Sequence, residues 1–284
     1  METIRSLENI GFDSLAASFS EAFNDYDVQI SKQELQIMLK RRGFVPELSF
    51  GAFDGERLVS FTFNGIGDFN GHKTAYDTGT GTIKEYRGKG LATKIFEYSI
   101  PFLKDAGVSY YLLEVLKHNS KAISVYQKLG FKVSREFNFF VSKMDEINLR
   151  SSELQSNCHL RTVSLDYQNQ MRSFWDFQPA WQNSFDSVTR SLTDFKLLGV
   201  FEGQSLVGYC IFEPNTGDIT QIAVDKNFRR QGIASTLLAE VAKENRHQNI
   251  KLINAEIGCD LIRQFAESKG ILLRGQQFEM IRKL

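Results

Sequence analysis

Two short segments combine arginine and glycine where a predicted strand gives way to a helix. The first is Arg87-Gly88-Lys89-Gly90-Leu91-Ala92, which follows a strand ending near Thr82. Glycine lets a ligand approach the backbone closely, and the first N–H groups of a helix have no partner within it. These groups lie at the positive end of the helix dipole, so the segment predicts a phosphate or pyrophosphate site. Arg87 and Lys89 would add positive charge.

The second segment, Arg229–Ala234, repeats this pattern 142 positions after Arg87. Neither commoner phosphate loop fits the first copy. A Walker loop would need glycine where Ile83 stands, and a dinucleotide fingerprint would need its third glycine at Lys84. A solvated basic helix start remains the alternative for one copy, but two copies in equivalent contexts favour the anion site.

Both segments belong to an internal repeat, because further features recur in the same order. A strand–turn–strand pattern around Gly55 recurs around Gly203, an offset of 148 positions. Gly130, at the end of a predicted helix, matches Gly270 at an offset of 140. The decreasing offset indicates that the first copy is slightly longer.

The repeat predicts two domains. We place an N-terminal domain at 1–145, a linker at 146–158 and a C-terminal domain at 159–284, since a polar stretch without period separates the copies. A length of 284 residues is also typical of two domains.

The elements that would position the first segment alternate irregularly between strand and helix. Apolar residues recur at helical spacing from Gly90 to Ala106, a buried-looking strand covers Tyr110–Leu116, and a second helix covers Ser120–Leu129. This order predicts a mixed α/β (α+β) fold.

Composition excludes several classes of protein. The 34 basic and 34 acidic residues give zero net charge, which disfavours a nucleic-acid partner. No apolar run approaches the roughly 18 residues of a spanning helix, and no secretory signal is evident, so we expect a cytoplasmic protein without a membrane partner. The three cysteines and four histidines are spaced too widely for a metal site, so we expect no metal.

The arginine–glycine segments resemble the acetyl-CoA signature of the GCN5-related N-acetyltransferases, [RQ]-x-x-G-x-[GA]. Arg87, Gly90 and Ala92 match it in the first copy. The second copy matches it at Arg229, Gly232 and Ala234.

A later motif of the same family, N-x-x-A-x-x-x-Y-x-x-x-G-F, is matched in the first copy alone. Its residues are Asn119, Ala122, Tyr126, Gly130 and Phe131. The resemblance covers nearly the whole chain as two tandem domains. It implies that each is a central, mostly antiparallel, splayed sheet flanked by helices.

The resemblance also implies a cofactor and a reaction. Acetyl-CoA, as co-substrate, would lie between two splayed strands, with its pyrophosphate on Gly88–Ala92 and its pantetheine along Thr80–Thr82. Asn119 would hydrogen-bond the pantetheine arm or a water. The acetyl group would pass directly to a primary amine of a small molecule or peptide.

Direct transfer needs a proton donor for the departing thiolate and a proton acceptor for the amine. The family motif assigns Tyr126 as the donor, and its ordinary pKa of about 10 keeps it protonated at neutral pH. Glu114 on the predicted strand is the first candidate base. Asp77, Glu85 and His118 remain alternatives, as does a chain of waters.

The second copy departs from the later motif, since Ala266 stands where the first copy has Tyr126. We therefore assign the chemistry to the first domain. A non-catalytic acyl-CoA-binding or sensor protein, or an acetyltransferase whose C-terminal domain is the active one, remains an alternative. A monomer and a homodimer both fit the sequence.

Overall fold

The computed structural model describes residues 2–25, 29–150 and 154–284. The chain forms two compact units. The first contains the residues up to Arg135 together with Phe278–Leu284, and the second contains Glu136–Gln277.

The first unit begins with strand β1 (Thr3–Ser6), helices α1 (Phe12–Ala22) and α2 (Lys32–Arg42), and strands β2 (Phe50–Asp54), β3 (Arg57–Phe69) and β4 (His72–Thr82). Helix α3 (Leu91–Asp105), strand β5 (Tyr110–Leu116) and helix α4 (Ser120–Lys128) follow. Strand β6 (Lys132–Lys143) then leads into the second unit.

The second unit continues with strand β7 (Cys158–Thr162), helices α5 (Gln168–Ser173) and α6 (Phe185–Arg190), and strands β8 (Lys196–Glu202), β9 (Ser205–Glu213) and β10 (Asp218–Val224). Helix α7 (Ile233–Glu244), strand β11 (Asn249–Glu256), helix α8 (Asp260–Ser268) and strand β12 (Leu273–Lys283) complete the chain as described.

The first unit's sheet is mostly antiparallel, with β1 to β5 in chain order. Strands β4 and β5 run parallel, and their pairing ends at Tyr76 opposite Leu112. Beyond this pair the strands separate into a fork. The sheet packs on α1 and α3 through aromatic side chains, and the rings of Phe61 and Phe63 stack with centroids 4.3 Å apart.

The second unit repeats this plan, with β7 to β11 in chain order. Strands β10 and β11 pair in parallel at Asp218 and Lys251 before they separate. The mixed α/β fold class, with two splayed sheets of the same design, is confirmed.

A β-bulge fixes the alignment of the two copies. Thr78 is the extra residue in β4, and Thr220 is the extra residue in β10, 142 positions later. Phe63 and Ile211 on the preceding strands are 148 positions apart. The β3–β4 hairpin therefore contains the extra residues of the first copy.

The greater part of the last strand of each repeat lies in the other unit. From Glu136 onward, β6 belongs to the second unit, where it pairs with β11. From Phe278 onward, β12 belongs to the first unit, where the Leu284 N–H donates to the Ser109 carbonyl over 2.9 Å. The compact units therefore do not divide where the sequence repeat divides. The limits at 145 and 159 stay a prediction, and residues 151–153 of the predicted linker lie outside the described residues.

Candidate active site

The loop before α3 has an open backbone. Gly88 and Gly90 adopt positive φ angles of 81° and 72°, and Gly90 is the N-cap of α3. A Cβ added at either glycine would have no atom of the described residues within 4 Å. The α3 N-terminus has no side-chain cap in the described part of the chain. Its N–H groups, which include those of Leu91 and Ala92, suit a pyrophosphate.

Arg87 ties this loop to the rest of the first unit. Its Nη1 and Nη2 donate to the two Asp25 carboxylate oxygens over 2.6 and 2.8 Å. Nη2 also donates to the Ala22 carbonyl, and Nε donates to the Thr82 carbonyl over 3.0 Å. The hydrogen bonds from Arg87 hold the pKa of Asp25 well below its usual range. The guanidinium thus fixes the loop against α1 and the end of β4.

Lys89 is also engaged by its surroundings. Its Nζ lies 3.0 Å from a Glu2 carboxylate oxygen and 4.5 Å from the centre of the Tyr86 ring. The predicted positive charge is present, but it is shared with Glu2.

The second loop reproduces the first. Arg229 donates through Nε to the Val224 carbonyl over 3.2 Å and through Nη2 to Phe174 O and Asp176. Gly232 is the N-cap of α7 with a φ of 83°. Arg230 stands at the place of Gly88 and still adopts a positive φ of 64°. This conformation costs about 1–2 kcal/mol for a residue with a Cβ, so the packing around the loop imposes it.

Side chains from α2, β3 and β4 meet at the fork between β4 and β5. The Arg42 guanidinium donates to the carbonyl of the bulge residue Thr78 over 2.9 Å. Thr80 and Thr82 lie on the part of β4 beyond its pairing with β5. The Thr82 hydroxyl lies 2.7 Å from that of Ser60 on β3.

Asp77 lies at the fork with its carboxyl buried. The Gly79 N–H donates to Oδ1 over 2.9 Å, and the Thr80 hydroxyl donates to Oδ2 over 2.8 Å. The Tyr126 side chain is hydrogen-bonded to the same carboxyl. Burial raises the pKa of Asp77 to about 6 against the opposing effect of these hydrogen bonds. The aspartate and the predicted acid thus form a pair.

Glu114 lies across the fork on β5 and is half-buried. Its carboxyl is hydrogen-bonded to the hydroxyl of Tyr76, the last paired residue of β4. Burial raises the pKa of Tyr76 well above its usual value, and the negative charge of Glu114 adds to the shift. The structure therefore brings both predicted catalytic residues to the same fork.

The remaining predicted residues, Asn119, Glu85 and His118, lie on loops and at a helix end outside the paired strands. Asn119 is the N-cap of α4, and its Oδ1 accepts from the Ala122 N–H over 3.2 Å. Because Oδ1 serves as the cap, a hydrogen bond from Asn119 to a ligand or water would come from its Nδ2 group. Glu85 and His118 are exposed, on the turn before the Arg87 loop and on the loop before α4 respectively.

The second unit contains a cavity of about 550 Å³ between β10, β11 and the Gly232 loop. Asn183 lines it, and its Nδ2 donates to the carbonyls of Thr220 on β10 and Ile253 on β11, over 2.9 and 3.1 Å. Asn183 is 5% exposed, and its Oδ1 has no hydrogen-bond partner among the described residues. One amide therefore holds the two strands where they part. Ala234 also lines the cavity.

The second fork lacks the Asp77–Tyr126 pair. The bulge alignment puts Ile219 at the place of Asp77, and the helix alignment puts Ala266 at the place of Tyr126. Both replacements are buried in the apolar core of the second unit. The second unit thus has the loop that suits pyrophosphate and has neither member of the polar pair.

A comparison with protein-family models agrees with this geometry. The model of the "Acetyltransferase (GNAT) family" matches residues 11–131 and 160–263, which together make up well over half of the chain. The chain belongs to this acetyltransferase family. GNAT enzymes use acetyl-CoA, so the chain is an acyltransferase of the acetyl-CoA-dependent class.

Curated relatives of this GNAT chain include N-alpha-acetyltransferases. The chain is 31% identical over 102 residues to N-alpha-acetyltransferase 30 of Schizosaccharomyces pombe (strain 972 / ATCC 24843). The matched region covers 35% of this chain and 68% of that protein. It is 28% identical over 106 residues to N-alpha-acetyltransferase MAK3 of Arabidopsis thaliana, covering 37% of this chain and 56% of that protein.

Solved structures share the fold over the whole GNAT chain. A tandem GNAT protein from the clavulanic acid biosynthesis pathway has a TM-score of 0.76 at 13% identity, covering 100% of this chain and 98% of that one. A GCN5-related N-acetyltransferase from Sphaerobacter thermophilus has a TM-score of 0.72 at 14% identity, covering 99% and 95%.

The described ranges of this GNAT chain contain no group of three or more His, Cys, Asp or Glu residues that could hold a metal ion. No helix in these ranges has the length and apolar character needed to cross a bilayer.

Sequence reasoning missed two residues of these GNAT forks, Arg42 and Asn183. Each donates to the carbonyl of a bulge residue, and each lies on a segment remote in sequence from the strand that it holds. Their spacing carries no motif, so only the fold reveals them.

Proposed function

We propose that this chain transfers an acetyl group from acetyl-CoA to a primary amine of a small molecule or peptide, and that the first unit performs the reaction. The observation that supports the proposal is that Glu114 interacts with Tyr76, and Tyr126 with Asp77, which are successive residues of β4 at one fork. The uncapped N-terminus of α3, which suits an anion, follows the end of β4. Acetyl-CoA would supply an activated thioester carbonyl for attack by the amine.

The residues of the first unit fit this donor. Gly88, Gly90 and the N–H groups of Leu91 and Ala92 would hold the pyrophosphate, and Arg87 keeps their loop in shape. The β4 backbone at Thr80–Thr82 lies beyond the pairing with β5 and would bind the pantetheine amides. Asn119 would hydrogen-bond the pantetheine arm or a water through its Nδ2 group.

Two proton transfers are assigned to the fork. Glu114 takes a proton from the attacking amine, directly or through water. Tyr126 gives its hydroxyl proton to the departing sulfur. Such general acid and base groups typically contribute about 10²–10⁴-fold each to a rate.

An activity assay should first test, as acceptors, peptides that carry a free N-terminal amine, because the curated relatives are named N-alpha-acetyltransferases. Small primary amines should be tested next as acceptors. Release of the CoA thiol measures turnover with acetyl-CoA as donor.

Tyr126→Phe tests the assignment in that assay. We expect kcat to fall by about 10²-fold or more while affinity for acetyl-CoA stays the same. Tyr98→Phe is the matched control, because Tyr98 is 41% exposed on α3. Turnover by Tyr126→Phe equal to that of the unmodified chain at every pH would remove Tyr126 from the mechanism.

A second candidate function applies to the second unit, which keeps the loop but not the Asp77–Tyr126 pair. We propose that it binds acyl-CoA without transferring the acyl group. Calorimetric titration with acetyl-CoA should then give two sites per chain, and Gly232→Ala should reduce this number to one. A single site that survives Gly232→Ala would refute a cofactor role for the second unit.

A further inference from the structure

We propose that Asp77 is a positioning residue for Tyr126, holding its hydroxyl in place and returning a proton to it after each transfer. The inference rests on the proposed function and extends it, because it names the group behind the acid. Asp77 reaches the reaction through Tyr126.

The Asp77 carboxyl is itself fixed in place. The Gly79 N–H and the Thr80 hydroxyl each donate to one of its oxygens, and only 8% of the residue is exposed. A carboxyl anchored in this way to β4 gives the Tyr126 hydroxyl one defined direction. Phe96 and Phe131 pack edge-on against the Tyr126 ring, with centroids 5.8 and 5.9 Å away, so the ring is held as well.

The charges around Asp77 and Tyr126 make ionisation of the Tyr126 hydroxyl unfavourable. Asp77 interacts with Tyr126 on α4, Tyr111 on β5, Tyr76 on its own strand and Arg42 on α2. Glu114 adds a further negative charge through Tyr76. Arg42 is the cation in this group. A phenolate at Tyr126 beside an ionised Asp77 would place two negative charges in a buried site, where like charges repel strongly.

A protonated Asp77 avoids this outcome. As the C–S bond breaks and the C–N bond forms, Tyr126 gives its proton to sulfur and receives the Asp77 proton. The resulting carboxylate is stabilised by the Gly79 N–H and the Thr80 hydroxyl. The proton lost by the amine leaves through Glu114 or water, and one equivalent returns to Asp77, so no net proton is gained or lost by the protein.

The second unit provides an internal comparison. It has the bulge at Thr220, the hydrogen bond from Arg229 to Asp176 and the helix N-cap at Gly232. Ile219 and Ala266, however, stand in place of both members of the pair. A carboxyl buried at this place without the tyrosine would have no such partner. The absence of both residues from the second unit agrees with one task that the two share.

The first test observes Tyr126 directly by NMR and needs no acceptor. Tyrosine is labelled with ¹³C at the ring carbon that bears the hydroxyl, and the Tyr126 signal is identified by its loss in Tyr126→Phe. We expect this signal to shift with a midpoint near pH 6, the pKa of Asp77. Asp77→Asn should abolish the shift, and Asp68→Asn, an exposed site on the β3–β4 hairpin, should leave it unchanged.

Thr80→Val extends this test to a protein that keeps Asp77. Removal of the Thr80 hydroxyl takes away a donor that stabilises the carboxylate, so the midpoint should move to higher pH. A Tyr126 signal that does not shift between pH 5 and 8, or that shifts equally in Asp77→Asn, would overturn the proposal.

The second test is a double-mutant cycle on kcat. Asp77→Asn should lower kcat roughly tenfold when Tyr126 is present, and cause no further loss in the Tyr126→Phe background. Equal losses in both backgrounds would mean that Asp77 does not act through Tyr126. An unmodified chain that acetylates no amine would contradict the proposed function, whereas the NMR coupling would still be measurable.

Discussion

Thr78 and Thr220 occupy the same place in the two repeats, and a side chain from a different segment holds each of them. Both are bulge residues at a fork between parallel strands. The carbonyl of Thr78 accepts from the Arg42 guanidinium, and the carbonyl of Thr220 accepts from the Asn183 amide, each over 2.9 Å. The two forks thus share the same backbone geometry, and different side chains support it.

The contribution of the Asn183 amide to the second fork can be measured as a change in the free energy of unfolding. Asn183→Ala would leave the carbonyls of Thr220 and Ile253 without this donor in a buried site. We expect the free energy of unfolding to fall by about 1–3 kcal/mol in urea denaturation. Asn227→Ala, at an exposed turn, should change it little. Equal stability of Asn183→Ala and the unmodified chain would show that the amide does not hold the fork.

Asp25→Asn separates two roles of Arg87. If Arg87 acts on phosphate only by its charge, removal of the neighbouring carboxylate should strengthen acetyl-CoA binding. Since both Asp25 oxygens accept from Arg87, we expect a looser loop and binding weakened by about two- to fivefold, measured by calorimetry. Glu56→Gln removes the same charge from an exposed residue at the β2–β3 turn and is the control.

Gly90→Ala tests the loop conformation. The added methyl group meets no described atom within 4 Å, so the change acts through the φ of 72° alone. We expect a loss of about 1–2 kcal/mol of stability and weaker acetyl-CoA binding in the first unit. Gly258→Ala, also in open space but without a positive φ, should leave both quantities unchanged.

Asp77 also predicts how stability depends on pH. Its pKa is about 6 in the folded chain and about 4 when unfolded, so the folded state binds the proton more tightly. The stabilisation is present in full below about pH 4 and is lost as pH rises through 6, a change of about 3 kcal/mol. The difference in unfolding free energy between the unmodified chain and Asp77→Asn should fall by most of this amount from pH 4 to pH 7.5. A constant difference would contradict the raised pKa.

Met280→Ala tests the contribution of β12 to the first unit. Met280 is fully buried with Phe96 and Tyr111 in the core of that unit. We expect a loss of about 2–5 kcal/mol in the free energy of unfolding. Leu273→Ala on the same strand is the control, because Leu273 is 49% exposed.

The sequence indicated the fold class and the two loops because both are local in the chain. Gly90 and Gly232 stand directly between a strand and a helix, and the repeat doubled the signal. The longer β3–β4 hairpin of the first copy explains why the offset changes from 148 to 142, a difference that the sequence alone indicated only as extra length in the first copy.

The partners of the site residues could not be predicted in the same way. The bond between Asp77 and Tyr126 joins a strand to a helix 49 positions later, and the bond from Arg42 joins a helix to a bulge. Such contacts depend on how the elements pack. The sequence also could not show that Arg87 donates to Asp25. A basic residue near a phosphate loop gives the same sequence pattern whether or not a carboxylate binds it.

The exchange of β6 and β12 constrains the order in which the chain can mature on the ribosome. Synthesis proceeds from the N-terminus, and an independent first domain could fold as soon as it emerged. Here the first unit takes its last strand from Phe278–Leu284, so its sheet stays incomplete until those residues have been made. The edge of β5 is exposed throughout that interval, and an unpaired edge favours association with other chains. The sheet of the first unit can therefore be completed only after Phe278–Leu284 have left the ribosome.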